Sequence, residues 1–327
     1  MKEKTSGRKN LAMLKSTASA LVEKNGGFRT NGAIASDRTK KLTHEVLMNC
    51  CQRLWLLGFQ IRDIHDLKLR HVESLIEYWR ANNHAIKTIQ NNVSRLRRVA
   101  EWIGKPDMIP HGILDQMYPD ADANELRVKT VAESSKSWTE NGVNVLEKIL
   151  EADKIDPRFG AMLRLGLAFG LRRKEQLRSK PNAMDGGSIL LINGNMAKSG
   201  KDRMIPIEHP FQRLCLEHAK RLVKGGEHLG WPGRTYEQNI AHYKYLMRKI
   251  GISGRDSGCV GHGLRAEYAE NISLLNGLVP PVLGGKTNQM EKDARLAIQA
   301  IVSQNMGHHR PEVTGAYYGS FRPQKQA

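Results

Sequence analysis

His262-Gly263-Leu264-Arg265 decides how we interpret the second half of this chain. The motif opens a segment, His262–Leu275, whose apolar residues recur at helical spacing. Three positions apart, the histidine and the arginine lie on one face of such a helix and aim at one ligand, while Leu264 points toward the core. Arginine can bind a phosphate and histidine can move protons. Alone, however, such a pair is more often an ordinary surface feature than a site.

Three further short motifs carry polar residues of related chemistry. Gly170-Leu171-Arg172 precedes Glu175 and places Arg172 where one helix ends and another begins, so that its guanidinium and free backbone N–H groups can point into one pocket. Gly307-His308 and Tyr317-Tyr318 follow near the C-terminus. A tyrosine can act as a nucleophile. Each motif is weak by itself, and together they indicate chemistry on a phosphate.

The charge of the chain favours an anionic partner. Its 327 residues include 51 Lys+Arg and 33 Asp+Glu, for a formal net charge of +18. Residues 1–118 hold 20 basic and 11 acidic residues and the remainder 31 and 22, so each half carries an excess of nine. An even spread is typical of a protein that holds nucleic acid from two sides, although a merely basic soluble protein has the same composition.

Cysteine usage and hydropathy indicate a reducing cytoplasm. We expect no secretory signal, because Met1-Lys-Glu-Lys is charged and no apolar region follows, and no membrane span. No CxxC spacing or disulfide framework is present, and we interpret the cysteines as buried apolar residues. They are Cys50, Cys51, Cys215 and Cys259.

Length and pattern predict a mainly α protein with a small β component in its second domain. We predict a helical N-terminal domain over 1–118, a linker over 119–137 and an α+β domain over 138–327. Thr139 is the expected N-cap of the first helix of the second domain. Ser188–Ile192 and Arg203–Ile207 are short strand candidates, and the polar run between them predicts a hairpin.

The helix predicted over Ile86–Ile103 carries two stripes. Its apolar stripe would seat it in a bundle. Its polar stripe could lie against DNA phosphates or could simply be a solvated face, and we favour DNA. That stripe consists of Lys87, Asn91, Arg95 and Arg98.

Together the motifs resemble the tyrosine recombinases, a family that includes phage integrases. The resemblance spans roughly Trp138 to Ser320, whereas the N-terminal half matches the family's helical core-binding domain by pattern only. The family's lysine lies in a β-hairpin before a strand containing proline, which selects Lys198, with Lys201 the alternative. Its nucleophile follows the histidine of the Gly-His motif by nine residues, which selects Tyr317, with Tyr318 the alternative. The catalytic set that the resemblance implies is Arg172, Lys198, His262, Arg265, His308 and Tyr317, with Glu175 in support.

The resemblance implies site-specific cleavage and rejoining of double-stranded DNA through a 3′-phosphotyrosyl link, without metal, ATP or another cofactor. It also implies a homotetramer on paired DNA sites, with accessory DNA-bending proteins as possible partners and no membrane partner. The source would be a mobile element or prophage, acting at the nucleoid in the cytoplasm of a bacterium. We add Lys201 and Arg203 of the hairpin to the expected DNA contacts, and we expect the two domains to close around the duplex.

Two features depart from the family pattern. Arg265 and His308 are 43 residues apart, about twenty more than in typical members, and the extra residues lie around Asn276–Lys292. We expect them to form a loop that contacts DNA or a partner. Only ten residues follow Tyr317, so a tail exchanged between protomers is in doubt.

Two other functions are compatible with parts of this pattern. A type IB topoisomerase shares the chemistry but relaxes supercoils as a monomer. A non-catalytic DNA-binding regulator accounts for the charge and the helical half but not for the catalytic order of the motifs. A metal-dependent nuclease is disfavoured, because no Asp/Glu cluster accompanies the histidines.

Overall fold

The computed structural model describes residues 2–28, 32, 34–196, 201–308 and 311–321. The chain divides into two compact units, Met1–Val128 and Lys129–Gln326. The division falls inside the stretch that we predicted as a linker, where a short helix, Ala123–Leu126, is also found. The predicted domain limits remain a prediction.

The first unit is helical. The second of its longer helices begins at a cap that the sequence supplies, because the Ser36 side chain accepts a hydrogen bond from the N–H of Thr39. Ile89, Val93 and Leu96 are buried along one face, as their spacing predicted. The helices are α1 (Lys2–Asn25), α2 (Asp37–Leu56), α3 (Leu69–Ala81), α4 (Ile86–Trp102), α5 (Ile113–Met117) and α6 (Ala123–Leu126).

The second unit is built of helices and one hairpin. Antiparallel strands β1 (Ile189–Ile192) and β2 (Arg203–Pro206) pair in a register that sets Ile192 opposite Arg203. The fold class predicted from the sequence is confirmed. The helices are α7 (Val145–Ile155), α8 (Pro157–Phe169), α9 (Arg173–Arg178), α10 (Pro181–Met184), α11 (Pro210–Arg221), α12 (Tyr236–Lys249), α13 (Gly263–Leu275), α14 (Lys292–Asn305) and α15 (Gly315–Tyr318).

Helix α8 organises the core of the second unit. The Asp156 side chain caps it, Pro157 occupies its first turn, and Gly170 ends it at φ +60°. Nine of its 13 residues are buried, and it packs against α7, α11 and α13. A smaller apolar cluster joins α13, α14 and α15 through side chains that include Tyr268, Val302 and Tyr318.

The expected start of the first helix in the second unit was wrong. Thr139 begins a single 3₁₀ turn, Thr139–Asn141, and helix α7 is capped instead by the Asn144 side chain, which accepts from the N–H of Glu147. The preceding Trp138 is fully buried and donates from its indole to the carbonyl of Val260, which draws the chain inward before a helix can form.

All four cysteines are buried and free. Burial raises the pKa of Cys51 and of Cys215 to about 12, so both thiols stay protonated at neutral pH. None of the helices in the described ranges is long and apolar enough to cross a membrane.

Candidate active site

Arg172 lies at the turn between α8 and α9. The positive φ of Gly170 makes this turn possible, and Tyr268 packs so closely there that a Cβ would lie 2.5 Å from its ring. Arg172 is the N-cap of α9, and its backbone N–H donates to Oε2 of Glu175 at 2.7 Å. That N–H is therefore committed to the fold and does not point at a ligand, contrary to our expectation, whereas the guanidinium extends toward the Gly307 loop.

Arg265 is the buried cation of the site, with 1% of its surface exposed. Its Nε donates to the Tyr317 hydroxyl at 3.1 Å, and its terminal nitrogens donate to the carbonyls of Gly170 and Met306. Arg172 Nη2 donates to the same Met306 carbonyl at 3.1 Å. Burial lowers the pKa of Arg265 to about 10, so the group still carries its charge at neutral pH. Two guanidiniums thus meet at one carbonyl oxygen.

Tyr317 packs near both histidine rings of the motifs. Its ring centroid is 5.3 Å from that of His262 and 5.4 Å from that of His308, and the guanidinium carbon of Arg265 is 5.4 Å from it. Tyr318 is in a different place. Only 2% of it is exposed, it belongs to the apolar cluster with α14, and burial raises the pKa of its hydroxyl. Of the two tyrosines, only Tyr317 is in contact with the arginine and the histidines.

His308 is held as a neutral imidazole. Burial, followed by the charge of Arg265, lowers its pKa to about 3. Its Nε2 lies 3.4 Å from Nη2 of Arg265 and its Nδ1 lies 3.2 Å from Oγ1 of Thr314. A guanidinium can only donate, so Nε2 is the acceptor and the ring proton is on Nδ1. Donation from Nε2 of His308 to a phosphate would therefore require the other tautomer.

The His262 motif is held in place by packing behind it. A Cβ on Gly263 would lie 2.6 Å from the Lys136 carbonyl and from the Trp138 ring, so only glycine fits there. Leu264 is fully buried, as predicted, and His262 stays exposed at the rim. The i, i+3 spacing delivers both polar side chains of the motif to Tyr317.

Glu175 and Arg203 form the charged floor of the site. Glu175 is completely buried, and both terminal nitrogens of Arg203 donate to its carboxylate, at 3.1 and 2.9 Å. The sequence predicts that Arg203 of the hairpin contacts DNA, but its side chain is only 7% exposed and lies inside the site. The alternation of β2 was the available signal, because Arg203 shares a face with the buried Ile205.

The two candidate lysines, Lys198 and Lys201, follow strand β1 in the sequence. Lys198 is outside the described residues. Lys201 is exposed, and the adjacent Asp202 accepts from the Gly194 N–H at 2.6 Å, which closes the base of the loop.

Comparison with known proteins gives this arrangement a family context. Residues 23–109 match the family model described as "Phage integrase, N-terminal". A lambda integrase dimer bound to a COC′ core site has a similar structure, with a TM-score of 0.56, 13% identity, and coverage of 95% of this chain and 78% of that chain. The Tn1549 transposon integrase in complex with circular intermediate DNA gives 0.55 and 14% over 93% and 96% of the two chains. A lambda integrase tetramer bound to a Holliday junction gives 0.56 and 12% over 89% and 74%.

The chain has the tyrosine recombinase fold. A search of curated protein sequences found no match. The structural likeness at these identities concerns the fold, and the family model concerns the N-terminal domain. The geometry around Tyr317 is therefore the evidence for chemistry in this recombinase fold.

The polar stripe of the N-terminal domain is partly free and partly paired. Lys87 and Asn91 are exposed on α4, and Arg95 donates to the Asn91 carbonyl at 3.0 Å. Arg98 is bound by Glu101 at 2.6 Å. The first three residues are therefore better placed for phosphate contact than Arg98.

A polar groove of about 600 Å³ adjoins that stripe between α2, α3 and α4. Asn91 and Arg95 line it from α4, and Gln52 and Arg53 line it from α2. The guanidinium of Arg53 stacks 3.7 Å from the Tyr78 ring centroid, which fixes the cation at the groove wall. We had not identified Arg53 from the sequence, because a single basic residue on an amphipathic helix carries no distinctive pattern.

The extra residues between Arg265 and His308 contact the segment that follows Tyr317. A Cβ on Gly319 would lie 3.0 Å from Pro281 and 3.2 Å from Val282. The Thr287 hydroxyl donates to the Phe321 carbonyl at 3.0 Å. The expected loop is thus packed within its own chain, around a 3₁₀ turn at Pro281–Leu283.

The start of the second unit directly contacts helix α15, which carries Tyr317. The Ala132 N–H donates to the Gly315 carbonyl at 2.9 Å, and Lys136 Nζ donates to the Ala316 carbonyl at 3.4 Å. Close by, the Ser135 hydroxyl donates to Glu270 of α13 at 2.7 Å. Helix α15, only four residues long, is therefore positioned by contacts from outside itself.

Proposed function

We propose that the protein is a site-specific DNA recombinase, an integrase of a mobile element, that cleaves and rejoins DNA through a 3′-phosphotyrosyl intermediate at Tyr317. The observation that carries this proposal is the hydrogen bond from the buried Arg265 to the Tyr317 hydroxyl, with the ring centroids of His262 and His308 5.3 and 5.4 Å from that of Tyr317. A cation that donates to a phenol oxygen stabilises the phenolate, which is the attacking form.

Arg172 and Arg265 are assigned to the scissile phosphate. Both donate to the Met306 carbonyl, so their guanidiniums are held side by side before DNA arrives. Charge-assisted bonds from such preorganised groups to the non-bridging oxygens stabilise the pentacoordinate transition state. Loss of one donor of this kind typically costs about 10²–10³ in rate.

The proton transfers are assigned to His262 and Lys198. Tyr317 Oη forms a bond to phosphorus and its proton passes to His262. The bond from phosphorus to the 5′-oxygen breaks, and that oxygen takes a proton from Lys198 to leave as a hydroxyl. Rejoining runs the same steps in reverse. The phosphotyrosyl link conserves the energy of the broken bond, so this scheme needs neither ATP nor a metal.

A cationic cleft beside the site supports a path for the DNA strand. It has a volume of about 570 Å³ and continues from Arg172 and His262. Its other basic lining residues are Arg173, Lys174, Lys244 and Arg248, and no carboxylate lines it among the described residues. Phosphates next to the scissile one would be neutralised there, which is where most affinity for a duplex arises.

A type IB topoisomerase is the competing enzyme and is not favoured. The chain matches integrases over nearly its whole length, including the phage integrase N-terminal domain. A regulator without catalysis needs no tyrosine bonded to a buried arginine.

We extend the proposal to a homotetramer on paired DNA sites, with accessory DNA-bending proteins, acting at the bacterial nucleoid. Native mass spectrometry of the protein on a duplex that carries its site would show four chains on two duplexes, and a stable monomer would contradict the tetramer.

Covalent capture tests the proposed function and identifies the DNA site in the same experiment. The full chain is incubated with fragmented genomic DNA from the source of the gene, denatured with SDS, and the DNA that stays attached to protein is sequenced. A duplex with that sequence, nicked close to the cleavage position, then traps the enzyme because the short cleaved strand diffuses away. We expect SDS-stable adducts at defined ends, and strand exchange between two such sites. Absence of any adduct, or relaxation of every supercoiled plasmid without exchange, would refute the recombinase assignment.

A further inference from the structure

The carboxylate of Glu175 is a fully buried charge, which is stable only when it is paired. The two terminal nitrogens of Arg203 donate to the two carboxylate oxygens of Glu175, one to each. Arg172 adds its backbone N–H at 2.7 Å and Nη1 at 2.9 Å. Although burial raises the pKa of Glu175, Arg203 and then Arg172 hold it below its usual value. One carboxylate is therefore shared by two arginines, only one of which is in the implied catalytic set.

This sharing determines what Arg172 has left for a phosphate. The bidentate ion pair with Arg203 neutralises the carboxylate. Arg172 therefore donates to the carboxylate from one guanidinium nitrogen only, and its Nη2 donates to the Met306 carbonyl. Without Arg203, Arg172 would be the only guanidinium bonded to a buried anion. Bidentate pairing with that anion would then compete with phosphate binding, since both offer the same oxygen geometry.

The position of Arg203 links two other parts of the site to the same pair. It is the first residue of β2 and closes the hairpin opposite Ile192, so its guanidinium anchors the hairpin base near Glu175. Its Nη1 also lies 2.7 Å from where a Cβ on Gly307 would be, directly beneath the Gly307-His308 loop. The Arg203 side chain therefore connects three segments of the site: the hairpin, the helix that carries Glu175 and the Gly307-His308 loop.

We infer that Arg203 is a positioning residue for DNA cleavage, which neutralises Glu175 so that Arg172 remains available to the scissile phosphate. This inference rests on the proposed function and adds a member to its site. Arg203 itself need not touch DNA. The effect of replacing Arg203 on cleavage should therefore depend on the charge of Glu175. A purely structural role, or a direct contact with phosphate, would give an effect that does not depend on that charge.

A double-mutant cycle tests this dependence. Single-turnover cleavage of the nicked duplex is measured at saturating DNA for wild type, Arg203→Met, Glu175→Gln and the double variant. We expect Arg203→Met to slow cleavage by about 10²-fold, the scale of a misplaced catalytic group. The double variant should recover to within about tenfold of Glu175→Gln, because no buried charge then draws Arg172 away. Duplex affinity should change less than threefold throughout.

Arg213→Met is the matched control. Arg213 also pairs with a carboxylate of the second unit, Asp185, at 2.9 Å, but it contacts none of the catalytic set. Its loss should leave the cleavage rate within about threefold of wild type. Thermal unfolding of each variant shows whether it is folded, and Arg203→Gln, which removes the charge but keeps an amide donor for the carboxylate, replaces Arg203→Met if that variant does not fold.

The results separate this inference from the proposed function. If the wild type forms the adduct, two results would refute the positioning role alone. One is a cleavage rate for Arg203→Met within threefold of wild type, and the other is a loss of cleavage rate that Glu175→Gln fails to relieve. For Arg203→Gln the same two results would refute it, and a loss relieved by Glu175→Gln would support it. No adduct with wild type would instead refute the recombinase assignment.

Discussion

His308 shows how one residue is tuned by its surroundings. Burial and the nearby guanidiniums lower its pKa to about 3, against about 6.5 in an unfolded chain. Between these values the unfolded chain binds a proton that the folded chain does not, so stability falls as the pH is lowered from about 6.5 toward 3. His308→Asn cannot titrate and should lose less stability over that window. Urea unfolding at pH 7.5 and 5.5 measures this, and a gap between the two proteins that is independent of pH would contradict the burial of a neutral ring.

The assignment of Lys198 as the proton donor is tested by changing the leaving group. A 5′-bridging sulfur leaves without a proton, so a duplex with this substitution makes the general acid unnecessary. Lys198→Ala should be slow on the normal duplex, by about 10²–10⁴-fold, and close to wild type on the sulfur-containing one. Lys201→Ala should be near wild type on both. The reverse pattern would move the role to Lys201.

At the scale of elements, the Gly307 loop depends on the absence of a side chain. Gly307 has φ +64°, and a Cβ there would lie 2.7 Å from Arg203 Nη1. Gly277 has φ +78° with open space around its Cβ position. Alanine at either position should cost about 1–2 kcal/mol through backbone strain alone. Only Gly307→Ala should also slow cleavage, by about 10²-fold, through the displaced arginine. Equal cleavage by the two variants would show that the close approach is unimportant.

Helical periodicity was enough to predict two of the helices that carry candidate residues. Helices α4 and α13 were found to within a residue or two, since their apolar stripes and flanking glycines are local signals. The start of α7 was missed because the burial of Trp138 depends on a distant carbonyl, Val260. Packing at long range overrode a plausible local cap.

The candidate site was predictable as a set of motifs but not as a network. Spacing alone brought His262 and Arg265 to the same point. Arg203 lies in the buried floor of the site, and not at an exposed DNA contact, because it pairs with Glu175, 28 residues away along the chain. A basic residue on a short strand is usually solvated, and only the fold shows which carboxylate it meets.

At the scale of the whole molecule, DNA affinity should be carried by phosphates and fall steeply with salt. Lys244 and Arg248 line the cleft that continues from the site. Replacing both by glutamine should lower the slope of log affinity against log salt by about two, one for each lost phosphate contact. Arg221 and Lys224 are exposed in the same unit, outside that cleft, and their replacement should leave the slope unchanged. An unchanged slope in the first variant would place the strand elsewhere.

In the proposed reaction Tyr317 becomes covalently attached to DNA. The adduct formed on the nicked duplex is digested with trypsin and nuclease, and the peptide that spans both neighbouring tyrosines is fragmented in a mass spectrometer. We predict a 3′-phosphonucleotide on Tyr317, no adduct from Tyr317→Phe, and a normal adduct from Tyr318→Phe. A nucleotide on Tyr318 or any other residue, or an adduct that persists in Tyr317→Phe, would contradict the account.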